Sequence, residues 1–245
     1  MSAQRIVLIT GGTYGIGRAA SLGFAALGDR VYAFGLGEER TQGVMALARE
    51  AGHEVIASTL DITDTKSIRM LIDDILAREG RIDVLVNNAA VRPTGTIESV
   101  TDEEWDLCFN VNIRGMYVTS KAVLPQMIAR KRGVIINVAS GAGKGRANLI
   151  AYGTSKSAIF GFTKNLAIDH AHQGIRVNTV VPGFTESGMT EGMPEKAMAM
   201  GGKMSVAGRV NRPGEVAAAI IWLASDQASI VSGVTLEAGT LPRQA

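Results

Sequence analysis

The chain has 245 residues, 46% of them hydrophobic, enough to build the large core of an α/β domain. Its 25 basic and 23 acidic residues leave a formal net charge of +2, and no Lys/Arg block interleaves with aromatics, so neither nucleic acid nor an anionic membrane is an indicated partner. Cys108 is the only cysteine, which excludes an intrachain disulfide and suits a reducing, cytoplasmic compartment, and no apolar stretch has the length of a signal-peptide core or a membrane span.

Seven short apolar runs punctuate the chain, at residues 5–10, 30–35, 54–60, 82–87, 133–139, 175–181 and 233–237. They are rich in Val and Ile and mostly continuous, the pattern of strands buried on both faces of a parallel sheet. Longer amphipathic stretches separate them. Residues 18–27 follow the first run as a helix, Thr63-Asp64 precedes a helical stretch at 67–78, and Thr101-Asp102-Glu103-Glu104 has the form of a capping box opening a long helix that ends near Arg130. This alternation implies right-handed crossovers. The expected architecture is therefore a doubly wound, Rossmann-type α/β fold of three layers, with a seven-stranded parallel sheet, in a single domain over residues 1–245. Residues 184–208 break the pattern: they hold Met189, Met193, Met198, Met200 and Met204, half of the chain's ten methionines. Such a segment suits a mobile lid over an apolar ligand, or equally a pair of short amphipathic helices in which Met fills core gaps.

The first run ends at Thr10 and leads into Gly11-Gly12-Thr13-Tyr14-Gly15-Ile16-Gly17, directly before the first helix. Glycines allow tight turning and close backbone approach to a pyrophosphate, and the helix N-terminus offers N–H donors and a favourable dipole. The Gly-x-x-x-Gly-x-Gly spacing is weak by itself; its place between a strand and a helix is what points to a dinucleotide. The second run ends Ala33-Phe34-Gly35-Leu36-Gly37-Glu38-Glu39-Arg40. An acid there would clamp the ribose hydroxyls of NAD, and an Arg would favour NADP. Neither Gly35 nor Leu36 can do either. Glu38 and Glu39 would repel a 2′-phosphate if they face it, whereas Arg40 is suited to bind one. The choice stays open, with the balance toward NAD.

Tyr152-Gly153-Thr154-Ser155-Lys156 puts a phenol and an ammonium four residues apart, on one face of a helix. A free tyrosine titrates near pH 10, too high for a base near neutrality, and a neighbouring cation favours the phenolate. Oxidising an alcohol needs such a base, and reducing a carbonyl needs the same group protonated. Tyr117-Val118-Thr119-Ser120-Lys121 repeats the spacing. Tyr117 lies inside the long helix with no strand end close before it, whereas Tyr152 follows the run at 133–139, whose carboxyl end delivers Ser140. Ligands gather at the carboxyl ends of strands in open α/β sheets, so Tyr152 is the candidate acid/base and Tyr117 and Lys121 are expected to be packing and surface residues. Ser140 would hydrogen-bond the reacting oxygen.

Together these residues resemble the short-chain dehydrogenase/reductase family, from Arg5 to Gly239. Residues 10–17 resemble its cofactor loop, which implies cofactor contacts at Gly11, Thr13, Tyr14, Gly15, Ile16 and Gly17 and, beyond the second strand, at Leu36. Asp61-Ile62 resembles the segment that contacts the adenine. Asn87-Asn88-Ala89-Ala90 resembles the family's Asn-Asn-Ala-Gly signature, with Ala90 in place of glycine, and implies contacts at Asn88 and Ala89. Pro182-Gly183 resembles the opening of the substrate loop beside the nicotinamide, with Thr185 and Ser187 following. The resemblance implies a tetrad of Asn112, Ser140, Tyr152 and Lys156. In it Tyr152 exchanges the proton, Ser140 orients the substrate oxygen, Lys156 binds the nicotinamide ribose and lowers the tyrosine pKa, and Asn112 holds a water in the proton path. It further implies a homodimer or homotetramer built partly through the helices at 102–130 and 152–172, and an NAD- or NADP-dependent exchange of hydride between a secondary alcohol and a ketone or aldehyde, or a 3-oxoacyl-type carbonyl. A non-catalytic dinucleotide-binding regulator, or a dehydratase or epimerase on the same fold, is the competing expectation. His53, His170 and His172 have no partners at metal-binding spacing, so no metal is expected.

Overall fold

The computed structural model describes residues 4–240. Seven strands, β1 (Ile6–Thr10), β2 (Arg30–Gly35), β3 (Val55–Thr59), β4 (Val84–Asn87), β5 (Gly133–Val138), β6 (Ile175–Pro182) and β7 (Thr235–Ala238), form one sheet in the order β3-β2-β1-β4-β5-β6-β7. Every pairing is parallel. Eight α-helices connect or follow them: α1 (Gly15–Ala26), α2 (Glu38–Glu50), α3 (Thr65–Glu79), α4 (Asp102–Phe109), α5 (Met116–Arg130), α6 (Ile150–His170), α7 (Glu195–Lys203) and α8 (Pro213–Ala224).

The continuous apolar runs are explained by what covers each face. Along β1, Val7 and Ile9 join one core with Phe24 of α1, Val44 of α2 and Ile220 of α8. Ile6 and Leu8 point the other way, into a second core with Ile68 and Ile72 of α3 and Val123 of α5. Alternate residues thus face opposite helical layers, and both sets must be apolar. Burying each such side chain contributes about 1.5–3 kcal/mol. Between these apolar layers runs a buried polar chain. Asn87 Nδ2 donates to Asn137 Oδ1 (2.8 Å) and Ser120 Oγ (3.1 Å), Thr119 donates to Asn87 Oδ1 (2.7 Å), and Asn137 Nδ2 donates to Thr163 Oγ1 (2.9 Å). It ties β4 and β5 to α5 and α6.

The winding reverses between β1 and β4, so the carboxyl ends of these two strands open a crevice. Element limits differ modestly from the sequence expectation. β4 begins at Val84, two residues after the expected start: the N–H of Ile82 turns to the Gln126 side chain, and the Asp83 carboxylate accepts from Ile6 N. β7 begins two residues late because Gly233, at φ 74°, is still in a turn. The helix expected over 102–130 is divided by a wide π-helical turn at Asn110–Gly115. The helix expected to reach residue 172 ends at His170 and passes into a 3-10 turn. The methionine-rich segment holds a single α-helix, α7.

Candidate active site

At the crevice, the Thr10 hydroxyl accepts from the backbone N–H groups of Asn88 (3.0 Å) and Ala89 (2.9 Å), while Asn88 Nδ2 donates to the carbonyls of Thr10 (3.2 Å) and Gly11 (3.1 Å). The ends of β1 and β4 are laced together. Gly11 and Gly15 take left-handed backbone, φ 62° and 53°. A Cβ on Gly17 would collide with the Gly11 carbonyl oxygen, so this glycine lets α1 close down on the loop. No side chain caps α1 at Tyr14, which leaves the donors of its first turn to an anion. Gly35 carries no side chain for a local reason: a Cβ there would run into the Thr13 hydroxyl.

A cavity of about 1070 Å³ extends from this loop past the ends of β4, β5 and β6 to the methionine-rich segment. Gly11, Thr13, Tyr14, Gly15, Ile16, Leu36, Asp61, Ile62, Asn88 and Ala89 line it, as do Ser140, Tyr152, Lys156, Pro182, Gly183, Thr185 and Ser187. The glycine cradle, the uncapped helix and the cavity's extent fit a dinucleotide. Two residues expected in the site, Gly17 and Asn112, do not line the cavity. Gly17 serves it through the packing just described. Asn112 sits in the π-helical turn, 2% exposed, with its amide fully engaged: Oδ1 accepts from Val91 N (2.8 Å), and Nδ2 donates to Val91 O (3.0 Å) and Ser155 Oγ (2.9 Å). Its side chain clamps the stretch after β4 to α6.

Tyr152 and Lys156 are both buried on α6, and Ser140 follows the carboxyl end of β5. Lys156 Nζ donates to the Val138 carbonyl (2.8 Å) and lies 5.8 Å from the centre of the Tyr152 ring. Burial raises the Tyr152 pKa above its ordinary value; Ser140 and the charge of Arg92 pull it part of the way back. Burial lowers Lys156 to about 8. Desolvation is the largest influence on both groups. The exposed copy of the motif behaves in the opposite way. Lys121 Nζ bonds the Tyr117 hydroxyl (3.0 Å) and lowers its pKa, on a surface away from the cavity.

At the far end, the Glu38 carboxylate accepts from Gln42 Nε2 and from the Thr59 hydroxyl, each at 2.7 Å, which holds its pKa down and turns it away from the cavity. Arg40 lines the cavity, its guanidinium 4.5 Å from the centre of the Tyr14 ring, and Arg18 lies 5.0 Å from the same ring. Sequence reasoning left three features unread. Val91 anchors Asn112 through its backbone, which no side-chain pattern reveals. Glu237 pairs with Lys144 in the cavity wall. The segment after β6 folds back over the glycine loop, where Tyr14 donates to Glu191 (3.4 Å) and Arg92 donates to the Met189 carbonyl (2.7 Å).

The comparisons with known proteins agree with this geometry. The family model described as short chain dehydrogenase matches residues 5–198. A 3-oxoacyl-acyl-carrier-protein reductase, FabG of Thermotoga maritima, is 38% identical over 230 residues, covering 94% of both chains. A cyclopentanol dehydrogenase of Comamonas testosteroni is 36% identical over 237 residues, 95% of this chain and 94% of its own. Among solved structures, a variant actinorhodin polyketide ketoreductase with NADPH superposes with a TM-score of 0.91 at 32% identity, covering 97% of this chain and 96% of its own. The chain belongs to the short-chain dehydrogenase/reductase family.

Proposed function

We propose that Tyr152 is the proton donor in reduction of a ketone to a secondary alcohol, and the acceptor in the reverse oxidation, with NADP(H) as the preferred cofactor. The chain is an NAD(P)-dependent oxidoreductase acting on CH–OH and C=O groups. The observation that carries the role of Tyr152 is its burial beside Ser140 in the cavity that begins at the uncapped N-terminus of α1.

The N–H groups at the start of α1 and the Gly11–Gly17 loop would hold the pyrophosphate, and Asp61 and Ile62 would take the adenine. When bound, the nicotinamide supplies or accepts the hydride. Ser140 donates to the substrate oxygen and fixes it against Tyr152. Because burial keeps the phenol protonated well past neutrality, Tyr152 delivers its proton to the oxygen as negative charge develops there, the acid role that reduction requires. Lys156, charged below about pH 8, favours that developing charge and is positioned to bond the ribose. Asn112 is a positioning residue that holds α6 in register with the wall after β4.

The preference for NADP rests on the adenosine end. The sequence balance leaned to NAD on the strength of Glu38 and Glu39, yet the Glu38 carboxylate is bonded to Gln42 and Thr59, and Arg40 is the charge in the cavity wall. A guanidinium there suits a 2′-phosphate. Residues 184–208 act as the lid, with Met189, Met193, Met200 and Met204 facing the substrate space. A homodimer or homotetramer belongs to the same reading, supported by exposed Leu107, Tyr117 and Ile168 on α4, α5 and α6. So does a cytoplasmic location, supported by the free thiol of Cys108.

The test is stoichiometric: each carbonyl reduced must consume one reduced nicotinamide, followed by its absorbance. A regulator or an internal-redox enzyme gives no net change. Tyr152→Phe should lower turnover by roughly two to four orders of magnitude with cofactor affinity within a few-fold of wild type. A variant retaining near-full turnover overturns the assignment.

A further inference from the structure

We propose that the substrate half of the cavity reads an anion, and that Arg92 selects carbonyl or alcohol substrates carrying a carboxylate within the enclosed space; this rests on the hydride-transfer reading above. Four cations line that half from three separate segments. Arg92 comes from the stretch after β4, Lys144 and Arg146 from the loop between β5 and α6, and Lys203 from the end of α7. The one carboxylate in the same wall, Glu237, is taken by Lys144. Arg92, Arg146 and Lys203 make no ion pair among the described residues. Cations gathered in a concave wall without counter-charge raise the local concentration of anions and speed their arrival.

Arg92 differs from the others in depth. It is half-buried, whereas Lys144, Arg146 and Lys203 are exposed at the rim. Its Nη2 donates to the Met189 carbonyl at 2.7 Å, which fixes the side chain across the cavity. A guanidinium has five N–H donors, and no other hydrogen bond of this one is made among the described residues. The remaining donors form the planar fork that matches a carboxylate in two parallel bonds. Arg92 and Tyr152 line the same cavity, so a carboxylate on Arg92 and a carbonyl on Tyr152 are compatible with one short molecule. Leu149, Phe184, Met193 and Met200 supply the apolar wall for the carbon chain between or beside them. The phosphates of a carrier thioester would instead meet Arg146 and Lys203 at the rim.

The experiment compares three short oxo acids, 4-oxopentanoate, 5-oxohexanoate and 6-oxoheptanoate, with their methyl esters. It follows NADPH-dependent reduction, together with calorimetric binding of each acid to the NADP-loaded protein. At least one acid should exceed its ester in kcat/KM by roughly ten-fold, about 1.4 kcal/mol. That ratio should fall to within about two-fold of unity in Arg92→Gln and recover partly in Arg92→Lys, which keeps the charge without the fork. The ratio is insensitive to any uniform loss caused by releasing Met189. Equal acid and ester values across the series overturn the anion site and leave the oxidoreductase reading standing. A preference unchanged in Arg92→Gln but lost in the double variant Arg146→Gln, Lys203→Gln also overturns it, moving recognition to the rim. Acid binding that depends on Arg92 with no reduction of either partner supports the anion site and removes the hydride-transfer reading instead. The absence of both acid binding and acid preference overturns the proposal.

Discussion

Lys156→Met removes a titrating group from the core while keeping most of its bulk, and the consequence for stability follows from linkage. Lys156 is 2% exposed, and burial brings its pKa from 10.5 to about 8. Between those two values the unfolded chain holds a proton that the folded chain has released. Stability therefore rises with pH across this window, fastest above about pH 8. For a single site with these pKa values, the folded state gains about 1.3 kcal/mol between pH 7 and pH 9. In a chain of this size that corresponds to about 2–3 °C in Tm. Other groups that titrate over the range, including Tyr152 and Cys108, whose pKa values are raised, are present in both proteins and largely cancel in the comparison. The assay is thermal or urea unfolding of cofactor-free wild type and Lys156→Met at pH 7, 8 and 9. The wild type should gain on the variant by that amount as pH rises. Parallel curves, or a gap moving the other way, would refute the claim that desolvation is the dominant influence on this ammonium.

Tyr117→Phe should leave kcat/KM within about two-fold of wild type, since that phenol is exposed and outside the cavity; a collapse in rate would move the acid/base to the other tyrosine. Arg40→Ala should raise KM for NADPH by roughly ten-fold or more while changing KM for NADH by less than about three-fold, and equal effects on both would return the balance to NAD. Asn112→Ala leaves the Val91 N–H without its side-chain partner and strips a donor from Ser155, so it should cost about 2–4 kcal/mol in denaturant unfolding. A loss below about 1 kcal/mol would show that Asn112 is not a clamp.

Much of this molecule is legible in order along the chain. The doubly wound sheet was readable because each strand is covered on both faces, which forces unbroken apolar runs such as Ile6-Val7-Leu8-Ile9. The glycine loop and the Tyr152-to-Lys156 spacing were readable because each depends on local backbone geometry. What was hidden depends on partners distant in sequence. Glu38 counted against a 2′-phosphate until its carboxylate was found on Thr59, at the end of β3. The side-chain partners of Asn112 were hidden because nothing near it in sequence announces Val91 and Ser155. The burial was hidden too: the spacing promises an ammonium near a phenol, but only the packing of α6 against β5 reveals that both are desolvated and that Lys156 donates a hydrogen bond to the Val138 carbonyl. Arg92, Lys144 and Arg146 stood in the sequence without a direction, and the folding of residues 184–208 over the crevice supplied it.

The wide turn at Asn110–Gly115 has a consequence for how one long helical rod meets two neighbours. Before it, Trp105 and Cys108 pack with Leu149, Ala142 and Tyr152 beneath the substrate space. After it, Val118, Val123 and Met127 pack with Ile68, Ile72 and Ile135 against the sheet. An uninterrupted α-helix advances about 100° per residue, so its apolar stripe would keep a single bearing along the whole rod. The extra residue in the turn shifts the phase and lets each half aim its stripe at a different target. Removing one residue from 110–115 would restore a regular spiral, and with it a choice the molecule now avoids: the rod could seat properly on the sheet or under the catalytic helix, but not on both.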